Sequence, residues 1–281
     1  MALTQHFILT RFNLRLWHKD KHREKVRTLE WLENRFELFE KYCLPSLAGQ
    51  TCQDFVWIVL FDSQTPEAFK KRIEACRGRC PQLTPVFVDP VEGRNFGRIF
   101  RKAVLDRMDA DRVVTTYLDN DDALDIHFVE DLRRRAEDLG DGTFVFYTNG
   151  YQYFTEFGLL LRVRYRRNHF VSVVEAGTPE TMKTVFGYGS HYYIEKIPGV
   201  RIEYVPDSPL WCEVIHRRNM GNDAYFLFGT KMVRDGETLR RDFAVDETSR
   251  AGAGLYLFRF LPRYVAVFFR RIGYFFFGRK W

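Results

Sequence analysis

Arg112-Val113-Val114-Thr115-Thr116-Tyr117-Leu118-Asp119-Asn120-Asp121-Asp122-Ala123-Leu124 is a β-rich run that ends abruptly in three carboxylates within four residues. Val113 to Tyr117 are β-branched or aromatic and favour a pleated backbone, and Leu118 continues the apolar run. Beyond the acids, the spacing of Phe128, Val129, Leu132, Ala136 and Leu139 predicts a helix, with Asp125 as its N-cap. Asp119 to Asp122 therefore form a strand-to-helix turn, the edge of an open α/β sheet where ligands collect. Acids this close repel one another, and an ordered turn keeps them together when a cation or a proton relieves the charge. Hard oxygen donors suit Mg²⁺ or Mn²⁺; the plain alternative is a solvated acidic loop.

Upstream, His6 to Thr10 reads as a first strand running into Arg11, Phe12 and Asn13. Leu29, Leu32, Phe36, Phe39 and Cys43 mark an amphipathic helix expected to end before Pro45. Phe55 to Phe61 is a near-continuous apolar strand, of the kind buried on both faces, and it terminates in Asp62. Thr65-Pro66-Glu67 opens a helix through about Cys76, Pro85 to Val88 is a strand ending at Asp89, and a helix follows from Phe96 to Met108. This alternation predicts a parallel sheet with helical crossovers and acids at several corresponding strand ends. After Leu139 the chain turns aromatic and β-rich, with segments 143–147, 151–154, 159–165 and 170–174 predicting antiparallel or mixed pairing. Residues 226–250 are charged and weakly patterned, and read as a linker or a peripheral helix.

The chain has 281 residues, and 46% of them are hydrophobic, enough for one substantial core. Its net charge of +6 resides in residues 251–281, where Arg259, Arg263, Arg270, Arg271, Arg279 and Lys280 stand without an acid. Residues 1–250 balance to zero, which argues against nucleic acid as a partner. Five scattered cysteines fit a reducing compartment better than a disulfide framework. No secretory signal is read at the N-terminus, and no run of about 18 apolar residues predicts a membrane span. In the tail, Arg259, Arg263 and Arg270 fall in one helical stripe among Phe258, Phe260, Tyr264, Val267, Phe268, Phe269 and Phe275 to Phe277. That pattern suits a helix in an anionic membrane interface, or an aromatic contact with a partner.

The sequence resembles the rhamnosyltransferase family of GT-A type nucleotide-sugar glycosyltransferases. The resemblance lies in His6 to Asn13, Tyr42-Cys43-Leu44-Pro45-Ser46 with Gln50, Trp57 to Asp62, Tyr117 to Leu124, and Trp211 with Val214-Ile215-His216 and Asn219. It implies a GT-A mixed sheet flanked by helices over residues 1–225, followed by the 226–250 segment and an amphipathic tail at 251–281. It also implies that Asp119 and Asp121 are the Asp-x-Asp pair, that His216 joins them at a metal, and that Asp122 supports the site or touches the sugar. Thr10, Arg11 and Asp62 would line the nucleotide pocket. An inverting transfer needs a base tuned upward; Glu213 is placed first and His191 next, with Glu195 and Asp207 behind them, while a retaining transfer would need none. Asn120 and Arg217 depart from the family pattern, which often carries Asp and Gly there.

The expected activity is metal-dependent transfer of a sugar, with rhamnose the family's candidate, from a nucleotide-sugar donor to a glycan or lipid-linked acceptor. The expected place is the cytoplasmic face of the cell membrane, held peripherally by the tail. The rivals are a metal-dependent nuclease or phosphohydrolase and a non-catalytic carbohydrate-binding module. A nuclease should carry a basic groove beside its acids, and a binding module should not need the metal.

Overall fold

The computed structural model describes residues 4–16, 28–216 and 230–250, with the isolated positions 252, 254, 265, 268 and 269. Its strands are β1 (Thr4–Arg11), β2 (Val56–Asp62), β3 (Leu83–Val88), β4 (Arg112–Tyr117), β5 (Ala123–Leu124), β6 (Thr143–Tyr147), β7 (Asn149–Phe154), β8 (Leu159–Arg164), β9 (Val171–Ala176), β10 (Arg201–Val205), β11 (Trp211–Ile215) and β12 (Lys231–Met232). The α-helices are α1 (Leu29–Leu38), α2 (Leu44–Ala48), α3 (Glu67–Arg79), α4 (Phe96–Leu105), α5 (Phe128–Ala136) and α6 (Thr238–Phe243). Most of the tail, together with Arg217, Asn219 and the arginines of the stripe, lies outside the described residues. Among the described residues no helix is long and apolar enough to cross a membrane.

A seven-stranded sheet runs in the order β10-β6-β9-β4-β1-β2-β3. β1 pairs in parallel with both β2 and β4, with Leu9 opposite Ile58 on one side and Tyr117 on the other. β2 and β3 are also parallel, as the apolar runs and helical crossovers predict, whereas β9 lies antiparallel between β4 and β6. Apolar side chains from the two faces enter separate cores, one containing Phe36, Trp57, Phe61 and Val114, the other Phe7, Leu60, Phe100 and Val113. The parallel register brings Arg11, Asp62 and the turn after Tyr117 to one edge of this sheet.

The aromatic half divides between two sheets. β6 and β9 complete the main sheet, while β7 joins a five-stranded sheet in the order β12-β8-β7-β11-β5. Thr148 links β6 to β7, and Gly150 lies within β7 rather than in a turn. Gly150 has a steric reason to be glycine: a Cβ there would come within 2.1 Å of the Trp211 ring. That indole cannot easily yield, because it is buried, stacks on Phe170 with ring centroids 4.8 Å apart and donates from Nε1 to the Tyr147 carbonyl. Gly150→Ala is therefore expected to cost ~1–3 kcal/mol, read as a fall of roughly 2–10 °C in melting temperature. An unchanged melting curve would show that the indole can move aside.

The first helix does not stop at Pro45. A π-helical turn, Phe39–Cys43, connects α1 directly to α2, and the Leu44 N–H bonds to the Phe39 carbonyl. The wider turn moves the hydrogen-bond register by one residue just where proline has no N–H to contribute, so the helix passes through. Residues 230–250 pack on the second sheet rather than hanging free: Leu239 and Phe243 of α6 are buried beside Tyr151, Tyr153 and Leu160.

Candidate active site

The acidic turn is bound into the fold residue by residue. Asn120 donates from Nδ2 to the carbonyls of Arg11 at 3.1 Å and Phe12 at 2.9 Å, tying the turn to the end of β1. A carboxylate has no donor for those two carbonyls, which explains the amide at this departure from the family pattern. Asp121 is buried and accepts at Oδ2 from Arg35 Nη1 at 2.7 Å and from His216 Nε2 at 2.8 Å. Burial opposes its charge, but the Arg35 guanidinium and His216 outweigh that and hold the carboxyl well below the usual range. Asp122, fully buried, accepts at Oδ1 from the Val214 N–H at 2.8 Å and shares a 2.7 Å contact at Oδ2 with His169 Nε2. Burial raises the Asp122 carboxyl to about 8, and the bond to Asp122 raises His169 against the effect of burial.

Asp119 is the most open of the acids. Its Oδ1 accepts from the Tyr117 hydroxyl at 2.8 Å and lies 3.6 Å from Arg11 Nη2, which itself donates to the Tyr117 oxygen at 2.6 Å. The Arg11 guanidinium sits over the rings of Phe96, Tyr117 and Phe186, 4.9 to 5.3 Å from their centroids. Among the described residues, the group whose ligand atoms could hold one ion is Asp119, Asp122 and His169, all within 4.8 Å of one another. Asp121 and His216, also expected at a metal, meet each other and the Arg35 guanidinium at Asp121 Oδ2. The sequence does not single out His169 or Arg35. Neither stands in a motif, and they reach the acids only because the loop before β9 and the helix α1 fold over the turn.

Glu213, on β11, is buried and accepts at Oε2 from Gln152 Nε2 at 2.6 Å, while Oε1 has no partner among the described residues. Burial raises its pKa and the neighbouring acids Asp121 and Asp119 add to the effect, against the pull of His169 and Gln152. His191 begins a 3₁₀ turn, His191–Lys196, with its ring centroid 6.1 Å from that of His169. Burial, with His169 and Arg11, lowers His191 to about 3 and keeps it neutral. The other two base candidates are spent elsewhere: Glu195 pairs with Arg167 and Asp207 with Arg135.

At the ends of β1 and β2 lies a cavity of about 430 Å³ lined by Asn13, Arg15, Trp31, Asp62, Gln64 and Thr65, among others. Asp62 accepts from Arg15 Nε at 2.7 Å and from the Gln64 N–H at 2.8 Å, and its own N–H donates to Asn13 Oδ1 at 2.9 Å. Thr10 does not face this cavity. Its hydroxyl is buried and accepts from Trp57 Nε1 at 2.9 Å, because alternation along β1 sends it into the helix-covered core.

Three solved structures similar to this chain are of S. aureus TarS. Its 1-349 fragment has 12% identity and a TM-score of 0.41, covering 75% of this chain and 60% of the fragment. The same fragment in complex with UDP has 11% identity, a TM-score of 0.41 and the same coverage. TarS without that truncation has 11% identity and a TM-score of 0.38, with 75% and 37% of the two chains covered. The chain thus spans about 60% of the length of the shorter TarS structures. No curated protein sequence matches it. Residues 5–225 match the family described as "Putative rhamnosyl transferase", well over half of the chain, and the protein belongs to that family of glycosyltransferases.

Proposed function

We propose that the protein moves a sugar, with rhamnose the first candidate, from a nucleotide-diphosphate donor to a hydroxyl of a glycan or lipid-linked acceptor. In this reading the transfer uses a divalent cation and inverts the anomeric centre. The observation that carries it is the convergence of Asp119, Asp122 and His169 within reach of one ion, with Glu213 buried nearby on β11 and one of its carboxylate oxygens without a partner among the described residues. Two carboxylates and an imidazole fit Mn²⁺ well, and Mg²⁺ less so. When bound, such an ion would neutralise charge on the diphosphate leaving group.

The remaining roles fall to the chain itself. Arg11, held over three rings and beside Asp119, is placed to take a phosphate oxygen. The cavity at Asp62 would receive the nucleoside, with Trp31 offering an aromatic face. Glu213 would accept the proton of the attacking hydroxyl, since burial makes its carboxylate more basic. His191, too weak a base at a pKa of about 3, would only hydrogen-bond the substrate. The basic, aromatic residues 251–281 would hold the enzyme to the anionic inner face of the membrane, and their deletion should release it from anionic vesicles.

Release of nucleoside diphosphate from a panel of nucleotide sugars, with Mn²⁺, Mg²⁺ or EDTA, tests the reading. Turnover is expected with one donor, to be abolished by EDTA, and to fall at least a hundredfold in Asp119→Ala. Turnover that ignores EDTA would remove the metal, and cleavage of nucleic acid without sugar transfer would favour the nuclease rival.

A further inference from the structure

A second cavity, of about 420 Å³, opens where α5, the loop before β11 and α6 meet, with Asp125, Arg135, Tyr151, Asp207, Leu210 and Asp242 in its wall. Its volume lies within the roughly 300–1,000 Å³ of small-molecule sites. Two of its polar groups are more than nine-tenths buried yet not used up by the fold. Tyr151 is 8% exposed, packs edge-on against Phe243 and has no hydrogen-bond partner for its hydroxyl among the described residues. Asp125, also 8% exposed, accepts at Oδ1 from the His127 N–H at 2.8 Å and lines the cavity. This bond, rather than an N-cap at the first turn of α5, is the use the fold makes of Asp125.

The chemistry of the wall selects among ligands. The acids do not converge as a metal site would: among the described residues, only Asp119, Asp122 and His169 bring ligand atoms within reach of one ion. They are spread around the cavity, and Arg135 neutralises Asp131 and Asp207 through contacts of 2.6 Å each. A phenol hydroxyl, separated carboxylates and a planar guanidinium, beside the apolar Pro209 and Leu210, match a neutral ligand with several hydroxyls and one apolar face. That is the character of a sugar ring. The cavity is also near the acidic turn, since Asp122 and Asp125 bracket the two-residue β5, at most ~10 Å of extended chain. β11 and the residue before it bind both ends, through the Val214 N–H to Asp122 and the Leu210 carbonyl to the Asp125 N–H.

We propose that this cavity binds a neutral saccharide unit of the acceptor or product glycan, away from its reacting end. The proposal rests on glycosyl transfer as the protein's activity, and its test is separate from that of the transfer itself. Saturation-transfer NMR on the full chain carrying Glu213→Gln, with methyl α-rhamnoside, methyl α-glucoside and maltose as probes, should show binding of at least one. Adding Tyr151→Phe should weaken that binding at least fivefold while the melting temperature holds. Asp242→Asn, which keeps the backbone carbonyl that bonds the Ile126 N–H, should do the same. Equal binding in all three proteins, no binding of any probe, or displacement of the sugar by spermidine would each overturn the proposal. Absent donor turnover with the sugar still bound here would instead count against the function proposed above.

Discussion

Glu213→Gln is expected to lower kcat by about 10²–10⁴ with little change in donor KM, the loss typical of removing a positioned base. The substitution is nearly isosteric, and Gln152 can still donate to the side-chain oxygen, so the fold has no reason to change. What disappears is the carboxylate oxygen that lies buried without a partner among the described residues. The sign of the pH dependence follows from the same burial. A base must be ionised to work, and Glu213 is pushed above the ordinary glutamate range, so kcat/KM should rise with pH through a limb above that range. The variant should lose that limb. Wild-type turnover by Glu213→Gln would end its assignment as the base and reopen a retaining transfer.

The second large effect is on stability. Arg35→Met removes the guanidinium 2.7 Å from Asp121 in a site where both side chains are buried. Breaking such a pair from one side costs ~3–5 kcal/mol, because the remaining charge keeps its desolvation penalty. His216 stays on the same oxygen and offsets part of the loss. The double variant Arg35→Met/Asp121→Asn should recover most of the stability, since no charge is then stranded. Thermal or urea unfolding of the three proteins checks this, and a single variant as stable as the parent would mean that Asp121 takes up a proton at little cost. Arg35 also donates to Asn120 at 3.3 Å, so its removal should loosen the whole acidic turn and reduce activity more than stability alone accounts for.

These two predictions draw on contacts that no local pattern announces. Arg35 stands 86 residues from Asp121, Gln152 61 from Glu213, and His169 47 from Asp122. Each is an ordinary polar residue in its own segment: Arg35 on an amphipathic helix, Gln152 in an alternating strand, His169 in a loop. A charged residue on a helix usually faces water, and nothing within a turn or two of Arg35 says that this one is covered.

By itself, the sequence determined the parallel half of the molecule and the sheet edge at which its acids gather. Near-continuous apolar runs such as Val56–Phe61 and Val113–Leu118 can be buried only on both faces, and the acids after them must emerge where those strands end. Only the tertiary structure decided which acids share an ion's reach and which are taken by a guanidinium, because that depends on side-chain directions from distant segments. It also decided the division of residues 143–215 between two sheets and the passage of the first helix through Pro45. Short aromatic strands carry the same alternation whichever sheet they join, and a π-turn is set by hydrogen-bond register rather than by composition.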